Sequence, residues 1–329
     1  MINKKGEGEQ FNWIFVIIAG AIILAFFVLF TTKYIRLQQD REDLRSVRDF
    51  GGTLSILESL PITDVGASID SSKPGQGLNF GYNIDMKYDC IGETAKIKIG
   101  KGSYTDYQLK DQILFIKSQQ KIKQLDMWLL PWRYPFHITN LIYLSDPDKT
   151  YYLIYDTNTK EFVENLALSN AFTIETTNVI KPKEKSTYII FSKNKLSKEK
   201  VLNLIADSST INFVYINPKD EDTGEVSFFQ NGEWSKNVNY YGKELMYGAI
   251  FSDDYENYKC TLDKSFKKLR DSASIYSEKA GILEHINNNP ECKYGNIQDI
   301  LKKFSNGIYG LKKDLENQNR LGTGCLEVY

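Results

Sequence analysis

The chain has 329 residues, 42% of them hydrophobic and 13% aromatic, with 41 Lys and Arg set against 42 Asp and Glu. This composition excludes a collagen, a disordered polyelectrolyte and a nucleic-acid binder that works by bulk charge, since none of these combines near-zero net charge with so many aromatics. A mean hydropathy of −0.38 also excludes a polytopic membrane protein, although that average conceals one N-terminal segment of opposite character.

From Phe11 to Phe30 the chain reads FNWIFVIIAGAIILAFFVLF, without a charge and with the single amide of Asn12. A bilayer core of roughly 30 Å takes about 20 helical residues at 1.5 Å each, so the run fits one span. A cleavable secretory signal has a shorter apolar stretch and a small-x-small site. Here Thr31, Thr32, Lys33 and Tyr34 follow instead. The reading is a retained transmembrane helix contacting the lipid bilayer through residues 11–30, with Trp13 and Tyr34 near the interfaces. Beyond it, KYIRLQQDREDLRSVRDF keeps helical character, with Leu37, Leu44 and Val47 about a heptad apart, until Gly51 and Gly52 are expected to stop it. Residues 31–60 are read as a helical stalk that packs against its own domain, because two heptads are too few for a coiled coil.

The run Lys4-Lys5-Gly6-Glu7-Gly8-Glu9-Gln10, directly before an apolar helix that turns amphipathic, resembles the leader and anchor of archaeal type IV pilin-like, single-span surface proteins. The resemblance covers about the first 50 residues and implies residues 1–10 as a cytoplasmic leader and a membrane-anchored surface domain. Cutting after Gly6 would put Phe11 at the fifth mature position, where pilins carry glutamate, so the anchor is expected to stay uncleaved. Orientation signals conflict. Lys33, Arg36, Arg41, Arg45 and Arg48 follow the span against Lys4 and Lys5 before it, which by charge alone favours a cytoplasm-facing domain. Four cysteines, Cys90, Cys260, Cys292 and Cys325, all lie beyond the span and permit two disulfides in an oxidising compartment. Cys260 and Cys292 flank a helix-like run, so a bridge between them is expected to tie that helix end to its start, worth roughly 3–4 kcal/mol by loop entropy. The alternative is four buried thiols in a reducing compartment. The extracytoplasmic reading is adopted, although no Asn-x-Ser/Thr sequon marks a glycosylated surface.

Residues 61–81, rich in Gly, Ser, Asp and Pro, read as a linker or loop. Residues 82–126 read as a small antiparallel β unit: YNIDMKYD, AKIKIG, YTDYQL and DQILFIK, with a turn at Gly100-Lys101-Gly102. Residues 127–260 alternate strands and helices. NLIYLS, TYYLIYD, FTIET, STYIIFS and TINFVYINP are strands, with helices in KEFVENLALS and SKEKVLNLIADS. The strand–helix–strand unit from Thr187 to Pro218 has the length of a right-handed crossover, which predicts a partly parallel sheet. Asn231-Gly232 between EVSFFQ and EWSKNVNYY predicts a tight hairpin. Residues 261–329 form a helical region with helices over 262–286, 296–304 and 308–318. The predicted architecture is thus an N-terminal transmembrane helix and stalk, then an α/β or α+β soluble domain with a mixed sheet and C-terminal helices. No Gly-rich phosphate turn follows a strand, so no nucleotide cofactor is expected.

Candidate chemistry is sparse. His137 and His285 are far apart and the cysteines lack C-x-x-C spacing, so no metal site is expected. Acidic groups at Asp146/Asp148, at Asp220-Glu221-Asp222 with Glu225, and at Asp253/Asp254/Glu256 offer oxygen ligands or acid–base pairs, but their Pro and Gly neighbours suit solvated turns. The most unusual stretch, MWLLPWRYPFHITNLIYL, presents Trp128, Trp132, Arg133, Tyr134 and Phe136 around Pro131 and Pro135, which bar a helix. These side chains form either a binding platform for a protein or glycan partner or the core of the strand layer. The functional expectation is a membrane-anchored extracytoplasmic interaction or assembly protein without catalysis, with no nucleic acid as partner. A membrane-tethered envelope enzyme and a cytoplasm-facing adaptor are the alternatives.

Overall fold

A computed structural model describes residues 5–59, 78–92, 94–100, 104–166, 173–177, 186–205, 212–287, 289–319 and 325–329. Helix α1 runs unbroken from Lys5 to Ser59 and is the one helix among the described residues long and apolar enough to cross a membrane. Its large apolar side chains from Trp13 to Phe30 stand clear of the rest of the protein: Trp13 is 72% exposed and Phe15 71%. The last turns behave differently. Asp43, Ser46, Val47, Phe50 and Leu54, spaced by three and four, are buried, as one face of a docked helix requires. Gly51-Gly52 does not end the helix, contrary to the sequence expectation. A Cβ on Gly51 would sit 2.4 Å from the Tyr107 ring, so the glycine permits the close approach that holds the helix down. Docking outweighs the roughly 1 kcal/mol a mid-helix glycine costs. Around it, Phe50 meets Tyr107 edge-on at 6.0 Å, and Ser46 shares a hydrogen bond with the Tyr82 hydroxyl.

That docking surface is the first of two sheets. It comprises β1 (Leu78–Ile91), β2 (Thr94–Gly100), β3 (Thr105–Leu109), β4 (Ile113–Phe115), β5 (Gln119–Arg133) and β6 (His137–Ser145) in the order β3-β2-β1-β5-β6-β4. All pairs are antiparallel except β4 with β6. Two expected boundaries move. The tail of the 61–81 linker, from Leu78, is already strand, while 61–77 and the Lys101-Gly102 turn lie outside the described residues. The small β unit also does not end at 126, because β5 passes straight through that point and carries the sheet on to β6. The chemical reason is that β5 is apolar on both faces. Ile122, Leu125, Met127 and Leu129 face the core under α1, while Trp128 and Trp132 face a second, larger core.

The second sheet holds β7 (Thr150–Tyr155), β8 (Thr173–Thr177), β9 (Ser186–Phe191), β10 (Asn212–Pro218), β11 (Thr223–Gln230), β12 (Glu233–Trp234) and β13 (Val238–Tyr241). The order β8-β7-β9-β10-β11 is parallel through β10 and then antiparallel, so the mixed sheet is as predicted. β9 crosses to β10 through α3 (Lys198–Ile205). Asn231 and Gly232 both take positive φ, 52° and 78°, closing the hairpin. Helix α2 is short, Lys160–Glu164, with Leu166 beyond its end and Leu168 outside the described residues.

Between the sheets lies α4 (Lys243–Phe251), whose Leu245 to Phe251 are all buried. A Cβ on Gly248 would come within 2.4 Å of the Phe115 ring, so here too glycine permits close packing. Helix α5 (Tyr255–Ile286) starts seven residues before its expected start, capped by the Asp254 carboxylate on the Asn257 amide. It packs with α6 (Tyr294–Ser305) and α7 (Lys312–Asn319) at the C-terminus.

Candidate functional site

Of the two readings of the aromatic run, binding platform or core, the structure shows the core. Trp132 is fully buried, and Trp128, Tyr134 and Phe136 nearly so; only Arg133 reaches solvent. Trp128 packs on Tyr143 and Tyr247 at 5.0 and 5.4 Å. Trp132 donates its indole N–H to the Tyr241 carbonyl at 3.0 Å, and the Tyr134 hydroxyl donates to the Tyr309 carbonyl at 3.2 Å. Phe136 sits between Tyr276 and Tyr329. These rings join β5 and β6 to α5 and the chain end, so they serve the core and present no exposed surface.

The disulfides also correct the sequence pairing. Cys90 bonds Cys260 and Cys292 bonds Cys325, with no Cys260–Cys292 bridge. Cys260 lies inside α5 rather than before a helix, facing the end of β1. Asn257 reinforces that seam, accepting from the Cys90 amide at 3.0 Å and donating to the Tyr88 carbonyl at 3.3 Å.

Most of the acidic groups are committed to local structure. Asp220 accepts from the Asp222 and Thr223 amides and the Thr223 hydroxyl. Glu221 pairs Lys243, Asp222 pairs Lys312 and Glu225 pairs Lys219. Asp253 accepts from the Ser118 amide at 2.7 Å, with Lys117 3.9 Å away. No group of three or more metal-binding side chains occurs among the described residues. His137, at the start of β6, is held below the usual imidazole pKa by burial. A concavity of about 460 Å³ beside the β11–β12 hairpin is likewise lined by engaged groups. Trp234 donates to the Leu196 carbonyl, Glu233 pairs Lys198 and Lys259 pairs Asp263.

One cleft differs. It has a volume of about 420 Å³ and lies between the sheets at the amino ends of β7, β9 and β10. Asp85, Lys117, Gln119, Gln120 and Lys121 line it from β1, β5 and the loop before β5; Asp146, Lys149, Ser186 and Asn212 line it from the strand starts of the second sheet. The turn Asp146-Pro147-Asp148 delivers Lys149: the Lys149 amide bonds the Asp146 carbonyl, and the Asp148 amide bonds the Asp146 carboxylate. Lys149 shares an inward face with Tyr151 and Leu153, since side chains alternate along a strand. It is only 7% exposed. Its ammonium lies 5.0 Å from the Tyr151 ring centre, and no hydrogen-bond acceptor reaches Nζ. Burial pulls this lysine down to about 8; Asp253 and Asp146 partly oppose that and Lys117 adds to it. The amide nitrogen of Gln120 is also buried without an acceptor.

Lys149 is not among the candidates that the sequence offers. The signal was present as a lysine two residues before the inward Tyr151 of an apolar strand, and it was masked by the acidic turn around it. Scans against protein-family models, characterised proteins and solved structures each return no match, so the cleft is interpreted from its own chemistry.

Proposed function

We propose that this protein is a single-pass membrane protein that holds a disulfide-locked α/β domain outside the cytoplasm and works by binding rather than by catalysis. The observation that carries the reading is the division of α1. Its apolar half is uncovered by protein, and the same continuous helix is docked on the first sheet through Val47, Phe50 and Leu54. An uncovered apolar helix of this length is stable in a bilayer and costly in water. The two disulfides favour the oxidising side, and the absence of free cysteines among the described residues fits it. The engagement of the Asp220–Glu225 and Asp253 carboxylates in turns and ion pairs favours binding over catalysis.

The cationic residues after the span, Lys33 to Arg48, favour the opposite orientation, with the domain as a cytoplasmic adaptor. Protease added to intact cells expressing the full chain separates the two. Degradation of the domain without lysis, with both cysteine pairs oxidised in non-reducing peptide maps, is the expected result. Protection until lysis, with four free thiols, overturns the extracytoplasmic assignment.

A further inference from the structure

We propose that the cleft between the two sheets binds the oxyanion of a small ligand, a carboxylate or a phosphate, held by the ammonium of Lys149 and the side-chain amide of Gln120. Both groups are donors, both are buried and neither has an acceptor, so the missing partner must be an acceptor. Buried donors are nearly always paired, and two unpaired donors lining one cleft point to a common ligand.

The charges around Lys149 narrow the chemistry. Lys117 lies near Asp253, whose carboxylate also accepts from the Ser118 amide. Lys121 stands opposite Asp85 in the β1–β5 register. Asp146 closes its own turn through the Asp148 amide. The Lys149 ammonium has a ring face 5.0 Å away but no hydrogen-bonded counter-ion, and an oxyanion supplies both charge and acceptor atoms. The volume of about 420 Å³ lies within the range of small-molecule sites, and the exposed Gln119 and Lys121 leave it open at the rim. The position is unusual, because ligands of open α/β sheets commonly sit at the carboxyl ends of the strands. In this sheet that end is occupied: Asp156 accepts from the Ser192 and Thr159 hydroxyls and from the Asn158 and Thr159 amides.

The inference deepens the binding reading above and rests on it for its biological meaning. Its test uses purified full-length protein in detergent, so its outcome is independent of which side of a membrane the domain faces. Isotopically labelled lysine reports each ammonium by NMR, and Lys149 is assigned by the resonance missing from Lys149→Met. Inorganic phosphate and acetate are titrated separately. The expected result is a saturable shift of the Lys149 resonance by one of the two, with its apparent pKa rising from about 8, because a bound anion favours the charged form. Phosphate acting alone marks a phosphate ligand; acetate acting alone marks a carboxylate. Gln120→Leu is expected to weaken the response about tenfold, the scale of one charge-assisted hydrogen bond. Lys149→Arg, which keeps the cation, is expected to retain part of the binding, measured by calorimetry. A Lys149 resonance that titrates at its low value and ignores both probes overturns the proposal, leaving a lysine stacked on Tyr151 for packing. An equal response in Gln120→Leu removes the amide from the site.

Discussion

The two ends of the parallel strands hold charge in opposite ways, half-exposed and saturated at one end, buried and without an acceptor at the other. At the carboxyl ends of β7 and β9, Asp156 sits among four donors. Burial pushes its pKa up, but the Ser192 and Thr159 hydroxyls and two backbone amides outweigh that and hold the carboxyl below its ordinary value. At the amino ends, Lys149 has no acceptor, and burial pulls it down. A saturated charge strengthens the fold, whereas an unsaturated one weakens it and is retained where a ligand completes it. The contrast separates an end of the sheet whose charge is satisfied from one whose charge is not.

The largest expected effect comes from uncoupling β1, which supplies Asp85 to the cleft, from α5. Cys90–Cys260 closes a separation of 170 residues, and the double variant Cys90→Ser/Cys260→Ser is expected to lose about 4–5 kcal/mol of stability in chemical denaturation. Hydrogen exchange should then show lost protection over residues 84–90 and none around Asp156 and Thr159. Equal loss at both ends would erase the distinction between them.

Lys149→Met is next, and its sign is opposite. The lysine moves from 10.5 to about 8 on folding, so holding it charged costs the native state about 3 kcal/mol. That cost is fully present below pH 8, is relieved as pH rises from 8 to 10.5, and is gone above. The methionine variant is therefore expected to be more stable by about 3 kcal/mol at pH 7, with the gain vanishing by pH 10.5. A destabilised variant would mean the ammonium is well solvated.

Asp156→Ala should cost about 2 kcal/mol at neutral pH, since it strips three hydrogen bonds from the turn that opens α2 and one from Ser192 beyond β9. With its folded pKa depressed, Asp156 contributes stability that is present above pH 3.8 and lost as pH falls through the folded value. The stability difference between wild type and variant should therefore narrow in acid.

A pH-dependent effect comparable to that of Lys149→Met refines the structural end. Glu244, at the start of α4, is raised from 4.5 to about 7, first by burial and then by Asp222. Native stability should fall by about 3 kcal/mol as pH rises from 4.5 to 7, and Glu244→Gln should flatten that slope. An unchanged slope would place the titration elsewhere.

Local chemistry made much of the fold legible. Length and apolarity disclosed the membrane-compatible helix, alternation disclosed the strands, Asn231-Gly232 the hairpin, and the Thr187–Pro218 spacing the parallel crossover. What escaped depended on distant partners. Gly51 looks like a stop until Tyr107 is placed against it, and Asp126 looks like a boundary until β5 is seen to bury both faces. The cysteine pairs followed tertiary neighbours: Cys260 meets the end of β1, not the next cysteine along the chain. Trp128, Trp132, Tyr134 and Phe136 announced size and rigidity, but their surroundings decided between surface and core. Lys149 was least legible, because a site defined by a missing acceptor leaves no motif.

The unbroken passage of α1 from its uncovered half to Gly51 makes it a drive shaft rather than a tether. If a bilayer grips Phe11–Phe30, as proposed, while the first sheet grips Val47 and Leu54, each residue added between Lys33 and Glu42 would swing the domain through about 100° of azimuth while raising it only 1.5 Å. Insertions of one or two residues would turn a given face of the domain away from a membrane-bound neighbour, and an insertion of seven would bring it nearly back into phase. Helical phase, more than length, is what this connection transmits.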